Sequence, residues 1–504
     1  MATAAVSRYS LVRQSLFALM RRSAYLVPMR RLAAFFRTPF FLFLLPVFFV
    51  AHGYVQNYGL MPAAEAVRLL LLYTAVAGVL LLFGRWLCSG WRRGALLAAL
   101  LLASELFYGS VHDALQARVP GLPLSWAWVL PLLLAIIVWA AWRLRRGRNP
   151  VRAVTFLNAL LLLLLLVEGG GWLRRYRARV TEKAGRQWAL RPATGLRPDV
   201  FLIIADEYAS NRQLKEQLGF DNRPFLDSLR RRGFAVHEGS QSNYNYTEYS
   251  TASLLNGSYF PAASRTNATD VGRCFYWIHD NEAFRFFRAQ GYELHNCSFF
   301  DLAGAPSPSP RVWNAQWTDL LQRQTLTARL RESFGPAPAP KTGNETVNET
   351  LLRATRSVLR QETTRPRFVY THLLLPHSPY VYDSNGARQP AQVANDRSNT
   401  AAYLGYLQYG NRIYLGLVDG ILRQARRPTI VLLLGDHGYR FGKPAQRDYY
   451  FTNLFAVYTT PGLIGHWPEG AGMVNQFRIL LDSCFGQQLP LLPDARHLVG
   501  EQER

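Results

Sequence analysis

Five apolar blocks, at about residues 39–54, 67–84, 94–110, 124–142 and 153–170, fill the first third of this 504-residue chain, and none holds more than one Asp, Glu, Lys or Arg. Runs of this length and polarity suit the interior of a bilayer, where a spanning segment must satisfy its own backbone N–H and C=O groups and so becomes a helix. The sequence therefore predicts five transmembrane helices. Charge agrees: through residue 195 there are 24 Lys and Arg against 5 Asp and Glu, so +19 of the chain's net +24 lies there. The arginines cluster between the blocks, as Arg30, Arg31 and Arg37, then Arg92 and Arg93, then Arg143, Arg145, Arg146 and Arg148. That distribution flanks membrane spans and excludes a nucleic-acid groove. Little charge in the first connection, Arg85 with Arg92 and Arg93 in the second, a lone Arg118 in the third and the arginine cluster in the fourth put the N-terminus in the cytoplasm and the C-terminal part outside. Arg174, Arg175, Arg177 and Arg179 stand against this orientation, but long domains translocate largely regardless of charge. The basic segment ahead of the first block is too long for a cleavable signal. The expected organisation is a basic cytoplasmic N-terminus (1–38), five membrane helices (39–170), a linker (171–195) and an extracytoplasmic domain (196–504).

From residue 196 the pattern changes. TIVLLLGDHGYR (429–440) is an aliphatic run ending in Gly-Asp-His-Gly. Such a run is what a strand buried on both faces of a parallel sheet looks like, and ligands in such sheets sit at the carboxyl ends of strands. Asp436 and His437 would occupy that end, offering a hard oxygen and a borderline nitrogen to a divalent cation such as Zn or Mn. The plainer alternative is a helix cap followed by a surface histidine. LRPDVFLIIADEYAS (196–210) supplies a second strand, Val200 to Ala205, ending in Asp206 and Glu207, and FVYTHLLLPHSPYVYD (368–383) a third, opening into a turn with His377. His372 reads as packing inside that strand. A helix of about 25 residues, AAYLGYLQYGNRIYLGLVDGILRQA, precedes the Gly-Asp-His-Gly strand. Strands alternating with helices predict an α/β domain with a mainly parallel sheet. SPSP (307–310), FGPAPAP (334–340) and KTGNETVNET (341–350) read as loops of an insertion.

Displacement at phosphorus needs a hydroxyl nucleophile, a cradle for a cation and a donor for developing charge. Glu207 with Asp206, and Asp436 with His437, are candidates for the cradle; Thr247 for the oxygen; His377 for binding a phosphate oxygen or protonating the leaving group. Taken singly, the acids could be helix caps, Thr247 a cap and His377 a solvated loop residue. Thr247, Ser250 and Thr251 compete as nucleophile; a helix predicted to start near Ser250 leaves Thr247 just ahead of it.

The order ADE, a Thr-containing segment ending in SLLNG, H-x4-PHSPY and LLGDHG resembles the alkaline phosphatase superfamily in its sulfatase-like branch. That branch includes lipoteichoic acid synthases and lipid A phosphoethanolamine transferases, which also carry five membrane helices before an extracytoplasmic catalytic domain. The resemblance implies that Glu207 binds metal, that Asp206 is the additional acid of sulfatases, that Thr247 is the nucleophile and a metal ligand, that Asp436 and His437 complete the metal site, and that His377 contacts the transferred group. Sulfatases need Cys or Ser in a C/S-x-P-x-R segment, whereas Thr247, Glu248, Tyr249, Ser250 and Thr251 stand here, which speaks against sulfate-ester chemistry. The expected activity is transfer of a phospho-alcohol head group, phosphoglycerol or phosphoethanolamine, from a membrane phospholipid to an envelope glycan or lipid. A membrane-anchored phosphodiesterase or phosphatase, and a non-catalytic protein keeping the fold, are the rivals. Oligomeric state leaves no mark on the sequence. Of four cysteines, Cys274 and Cys297 are near enough in sequence to bridge in an oxidising compartment.

Overall fold

A computed structural model describes residues 34–58, 61, 63–119, 121, 124–188, 191, 196–261, 268–309, 321–335, 344–441, 444–464 and 467–500. Most of the basic N-terminal segment, residues 1–33, lies outside the described residues. The chain forms two compact units, one of Met1–Gln56, Met61–Tyr176 and Thr318–Pro338, the other of Asn57–Leu60, Arg177–Trp317 and Ala339–Arg504.

In the first unit the five apolar blocks match, to within two residues at their starts, α1 (Phe41–Gln56), α2 (Ala63–Cys88), α3 (Trp91–Arg118), α4 (Trp126–Arg146) and α5 (Val151–Arg186), or lie inside them. Four of these, α2 to α5, are long and apolar enough to cross a membrane. The 16 residues of α1 span about 24 Å at 1.5 Å per residue, short of the ~30 Å hydrocarbon core. The start of α1 is tied down by Asn158 of α5, whose side chain accepts from the Phe41 N–H at 2.7 Å and donates to the Phe36 and Thr38 carbonyls at 2.8 Å. Helix α5 continues to Arg186, so the first part of the expected 171–195 linker is helical. Residues 321–335, expected in the extracytoplasmic domain, belong instead to this unit. Leu321 joins its apolar core, the Thr327 hydroxyl donates to Glu105 of α3 at 2.8 Å, and Arg329 pairs with Asp113 at 2.6 Å.

The second unit is built on a six-stranded sheet of order β2-β6-β5-β1-β4-β3: β1 Asp199–Ala205, β2 Ala235–Val236, β3 Glu293–Cys297, β4 Arg367–Leu373, β5 Thr429–Gly435 and β6 Phe455–Thr459. Strand β1 runs parallel to β4 and β5, β3 runs parallel to β4, and β6 and β2 add an antiparallel edge. Every residue of β1 and β5 is buried, which is why both read as unbroken apolar runs. The flanking helices are α6 (Asn211–Leu218), α7 (Arg223–Arg230), α8 (Thr247–Asn256), α9 (Ala268–His279), α10 (Glu282–Ala289), α12 (Asn344–Arg360), α13 (Thr400–Gln424) and α14 (Gln476–Phe485), with α11 (Leu326–Phe334) in the first unit. The long helix α13 lies within one residue of its expected bounds and is capped by Asn399, which accepts from the Ala402 N–H at 3.0 Å. The NETVNET stretch is not a loop but the start of α12. Val347, Leu351 and Val358 form a buried stripe at helical spacing that the polar residues between them hid. The FGPAPAP and KTG segments fall mostly at 336–343, outside the described residues.

The expected Cys274–Cys297 bridge is not formed; all four cysteines are free and buried. The sheet separates the pair. Cys297 is in register with Thr371, whose hydroxyl meets Thr355 of α12 at 2.9 Å, so it faces α12. Cys274 sits on α9 beside Glu248 of α8, and α8 packs on the opposite face, where Thr251 meets Tyr370. Side chains of adjacent residues on a strand point to opposite faces, so nearness in sequence did not mean nearness in space.

Candidate active site

The β1/β5 register aligns Ala205 with Gly435, so the next residues, Asp206 and Asp436, leave the two strands side by side. Both glycines of Gly-Asp-His-Gly answer to close packing: a Cβ on Gly435 would stand 2.5 Å from the Tyr208 carbonyl oxygen, and one on Gly438 2.2 Å from that of Tyr449. Asp436 Oδ1 accepts from the N–H groups of Glu207 (2.8 Å) and His437 (3.0 Å). Its other oxygen, Oδ2, is buried without a hydrogen-bond partner. His437 Nδ1 donates to the Gly438 carbonyl at 2.9 Å, which leaves Nε2 as the lone-pair nitrogen, 3.5 Å from Asp436 Oδ2. Asp206, Asp436 and His437 each offer one ligand atom within 4.8 Å of the others.

Thr247 closes this group. Its Oγ1 lies 3.3 Å from Asp206 Oδ1 and 3.3 Å from His437 Nε2. It is the first residue of α8, which begins three residues earlier than expected because the Ser250 N–H already bonds the Tyr246 carbonyl at 2.9 Å. No side chain caps this helix start, so its free amides and dipole favour an anion there. The competing hydroxyls are placed differently: Ser250 donates to the Tyr244 carbonyl at 2.9 Å, and Thr251 is buried beside Tyr370.

Glu207 is adjacent to the three-ligand cluster but outside it. It sits at φ +60°, a left-handed conformation that costs a non-glycine residue about 1–2 kcal/mol. Its Oε1 accepts from Arg440 Nε at 3.3 Å, and its Oε2, buried and without a hydrogen bond, lies 3.9 Å from His377 Nε2. His377 is half-buried and donates through Nδ1 to the Ser378 carbonyl. Sequence reasoning missed two residues here. Arg440, two positions past Gly438, is largely buried, with its guanidinium 4.3 Å from the Tyr246 ring; a basic residue that close to a strand-end acid was the available signal. His372 is fully buried as expected, yet its Nε2 faces Asp206 Oδ2 at 3.9 Å while Nδ1 meets the Tyr370 hydroxyl at 2.9 Å.

The electrostatics fit a cation. Burial, then the Asp436 and Glu207 charges, raise the Asp206 carboxyl well above the usual range. Burial, then Arg440, push His437 down to about 3, which keeps its imidazole neutral and able to ligate. A dication would compensate the crowded carboxylates and take the unpartnered oxygen of Asp436. Thus Asp206, Asp436, His437 and the Thr247 hydroxyl form an O/N donor set that suits a divalent cation.

These shifts predict a pH dependence for the metal-free chain. The fold holds His437 to about 3 and His372 to about 4, both mainly through burial, against about 6.5 unfolded. Each contributes stability above pH ~6.5 that is lost as pH falls toward the folded value, at up to about 1.4 kcal/mol per pH unit. Asp206, raised, opposes one of them, whereas His377, lowered mainly by burial, adds to them. The thermal midpoint of the chelated full chain in detergent should therefore fall from pH 6.5 to pH 4.5. A flat or rising midpoint would contradict the buried neutral histidines.

A sulfatase family model matches residues 198–476, more than half of the chain. The chain belongs to the sulfatase family. Solved structures of low sequence identity are similar to this family member. The C-terminal periplasmic domain of EptC from Escherichia coli, in complex with Zn, is 13% identical over 59% of this chain and 87% of its own, with a TM-score of 0.39. The integral membrane lipooligosaccharide phosphoethanolamine transferase A of Neisseria meningitidis is 12% identical over 89% of this chain and 95% of its own, with a TM-score of 0.36. The phosphonate monoester hydrolase of Agrobacterium radiobacter is 16% identical over 57% and 73%, with a TM-score of 0.38. No curated protein matches the sequence. The sulfatase-family chain is a membrane protein and a sulfatase-like enzyme, a hydrolase or phosphotransferase, with a divalent-metal site.

Proposed function

We propose that this enzyme moves a phospho-alcohol head group, phosphoglycerol or phosphoethanolamine, from a membrane phospholipid to an envelope acceptor through a phospho-threonine at Thr247. The observation that carries this reading is the Thr247 hydroxyl at the uncapped start of α8, within 3.3 Å of both Asp206 and His437. In the first half-reaction Thr247 Oγ attacks phosphorus as its proton passes to Asp206 Oδ1. The bond from phosphorus to the diacylglycerol oxygen breaks, and that oxygen takes a proton from Nε2 of His377 in its imidazolium form, which the Glu207 carboxylate 3.9 Å away favours. In the second, an acceptor hydroxyl gives its proton to His377 and attacks phosphorus, the bond from phosphorus to Thr247 Oγ breaks, and Thr247 recovers its proton from Asp206. A divalent cation held by Asp206, Asp436 and His437 would lower the pKa of the threonine hydroxyl and stabilise charge on the phosphoryl oxygens. The free amides of α8 face the same charge. Arg440 holds Glu207 in place.

Membrane helices explain the tether, since a donor confined to the bilayer is concentrated and oriented for an anchored enzyme. By the charge alternation of its connections, the catalytic domain lies outside the cytoplasm. The test is mass spectrometry of the full chain after incubation with head-group-labelled phospholipid. The reading expects a labelled phospho-adduct on the Thr247 peptide that is lost when label appears on an acceptor. Label released only as free head group would make the enzyme a phosphodiesterase, and turnover without any Thr247 adduct would overturn the covalent route.

A further inference from the structure

Where α1 and α3 begin, α2 ends and α4 turns into α5, the membrane unit holds a cavity of about 500 Å3 whose lining includes Arg37, Thr38, Ser89, Arg92, Arg93 and Asn149. Two of its guanidiniums are oriented by main-chain oxygens rather than by acids: Arg92 Nε donates to the Arg37 carbonyl at 2.8 Å, and Arg93 Nη2 to the Gly147 carbonyl at 2.7 Å. Among the described residues no Asp or Glu lines the cavity or pairs with Arg37, Arg92 or Arg93. The start of α3 opens on the same space after Gly90, without a side-chain cap, and its dipole adds to the positive field. Trp91, exposed, lines it as well, with Arg85 stacked 4.0 Å over its ring. Exposed aromatic and basic residues together mark the lipid head-group level of a membrane protein.

We propose that this cavity binds the head group of an anionic phospholipid. Three guanidiniums and the Ser89 hydroxyl suit a phosphodiester, which arginine engages through paired N–H donors. The absence of a lining carboxylate selects among lipids: the ammonium of a zwitterionic head group would find no partner there. The volume lies within the range of small-ligand sites. Basic pockets between membrane helices are a recurrent way of holding anionic lipid. The site is separate from Thr247 and its cluster, and stands or falls without the proposed chemistry.

The test is lipid titration of the full chain in detergent, read by native mass spectrometry, with phosphatidylglycerol, phosphatidylethanolamine and inorganic phosphate as separate arms. Phosphatidylglycerol should bind about tenfold or more tighter than phosphatidylethanolamine, and Arg92→Gln/Arg93→Gln should weaken it about tenfold. Arg146→Gln/Arg152→Gln removes the same charge from the same end of the helices, outside the cavity, and should leave binding within about twofold. Equal affinity for the two lipids, or equal loss in the two double variants, would reduce the effect to diffuse surface charge and overturn the site. Phosphate competing at the same concentration as the lipid would make it a free-anion site and overturn the lipid assignment. If the cavity double variant does not fold, Arg93→Gln alone is read in the same titration, and unchanged phosphatidylglycerol binding in it would count against the proposal.

Discussion

Thr247→Ala should lower turnover of a head-group-labelled phospholipid by at least about a thousandfold, some 4 kcal/mol of barrier at 1.36 kcal/mol per tenfold. Alanine is the best helix former, so α8 should keep its first turn while losing only the oxygen that lies 3.3 Å from Asp206 and His437. Far-UV circular dichroism and bound metal should therefore stay close to wild type, apart from the affinity lost with one ligand oxygen. Thr247→Ser keeps the oxygen and should stay within about a hundredfold of wild type. Ser250→Ala, which loses a bond to the Tyr244 carbonyl, should be much milder on turnover. Near-wild-type turnover by Thr247→Ala, at a metal content equal to wild type, would rule out the nucleophile assignment and make Ser250 the next hydroxyl to test.

Removing Asp436 should have the largest effect on metal. Its two oxygens do different work: Oδ1 anchors the amides of Glu207 and His437, and Oδ2 is the unpartnered atom facing His437 Nε2. Asp436→Asn can keep the first role and lose the second, so it separates a damaged loop from a lost ligand. Both Asp436→Asn and His437→Ala should bring metal in the purified full chain down by about tenfold or more, since each removes one of the three charged or nitrogen ligands found among the described residues. Asp436→Asn should do so with a near-normal thermal midpoint in the chelated state. Elemental analysis showing equal metal in wild type and both variants would eliminate this site.

Much of this architecture was legible because its signals are local. Apolar blocks between arginine clusters mark the membrane helices, since lipid leaves a spanning segment no other way to satisfy its backbone. The aliphatic runs of β1 and β5 mark buried parallel strands, and their polar ends, Asp206 with Glu207 and Asp436 with His437, mark the rim where a ligand would sit. The motif order was sufficient to place the chain in the sulfatase-like branch, which the family match over residues 198–476 bears out.

What the sequence left hidden depends on relations across the chain. NETVNET looked like a loop because only packing against the sheet makes a helix of a mostly polar segment. The Cys274–Cys297 pair looked bridgeable because sequence distance says nothing about which face of a sheet a side chain takes. By itself, then, the sequence determined the membrane helices, the α/β class and the residues from which a metal and phosphoryl site would be drawn, since each follows from local hydrophobicity, strand patterning or motif. Only the tertiary structure decided how those residues divide. The register of β1 on β5 sets Asp206 beside Asp436, and the α8 start brings Thr247 up to them. Meanwhile the left-handed turn at Glu207 directs its carboxylate to Arg440 and His377, because the direction of a side chain is fixed by backbone conformation and neighbours that no single segment contains.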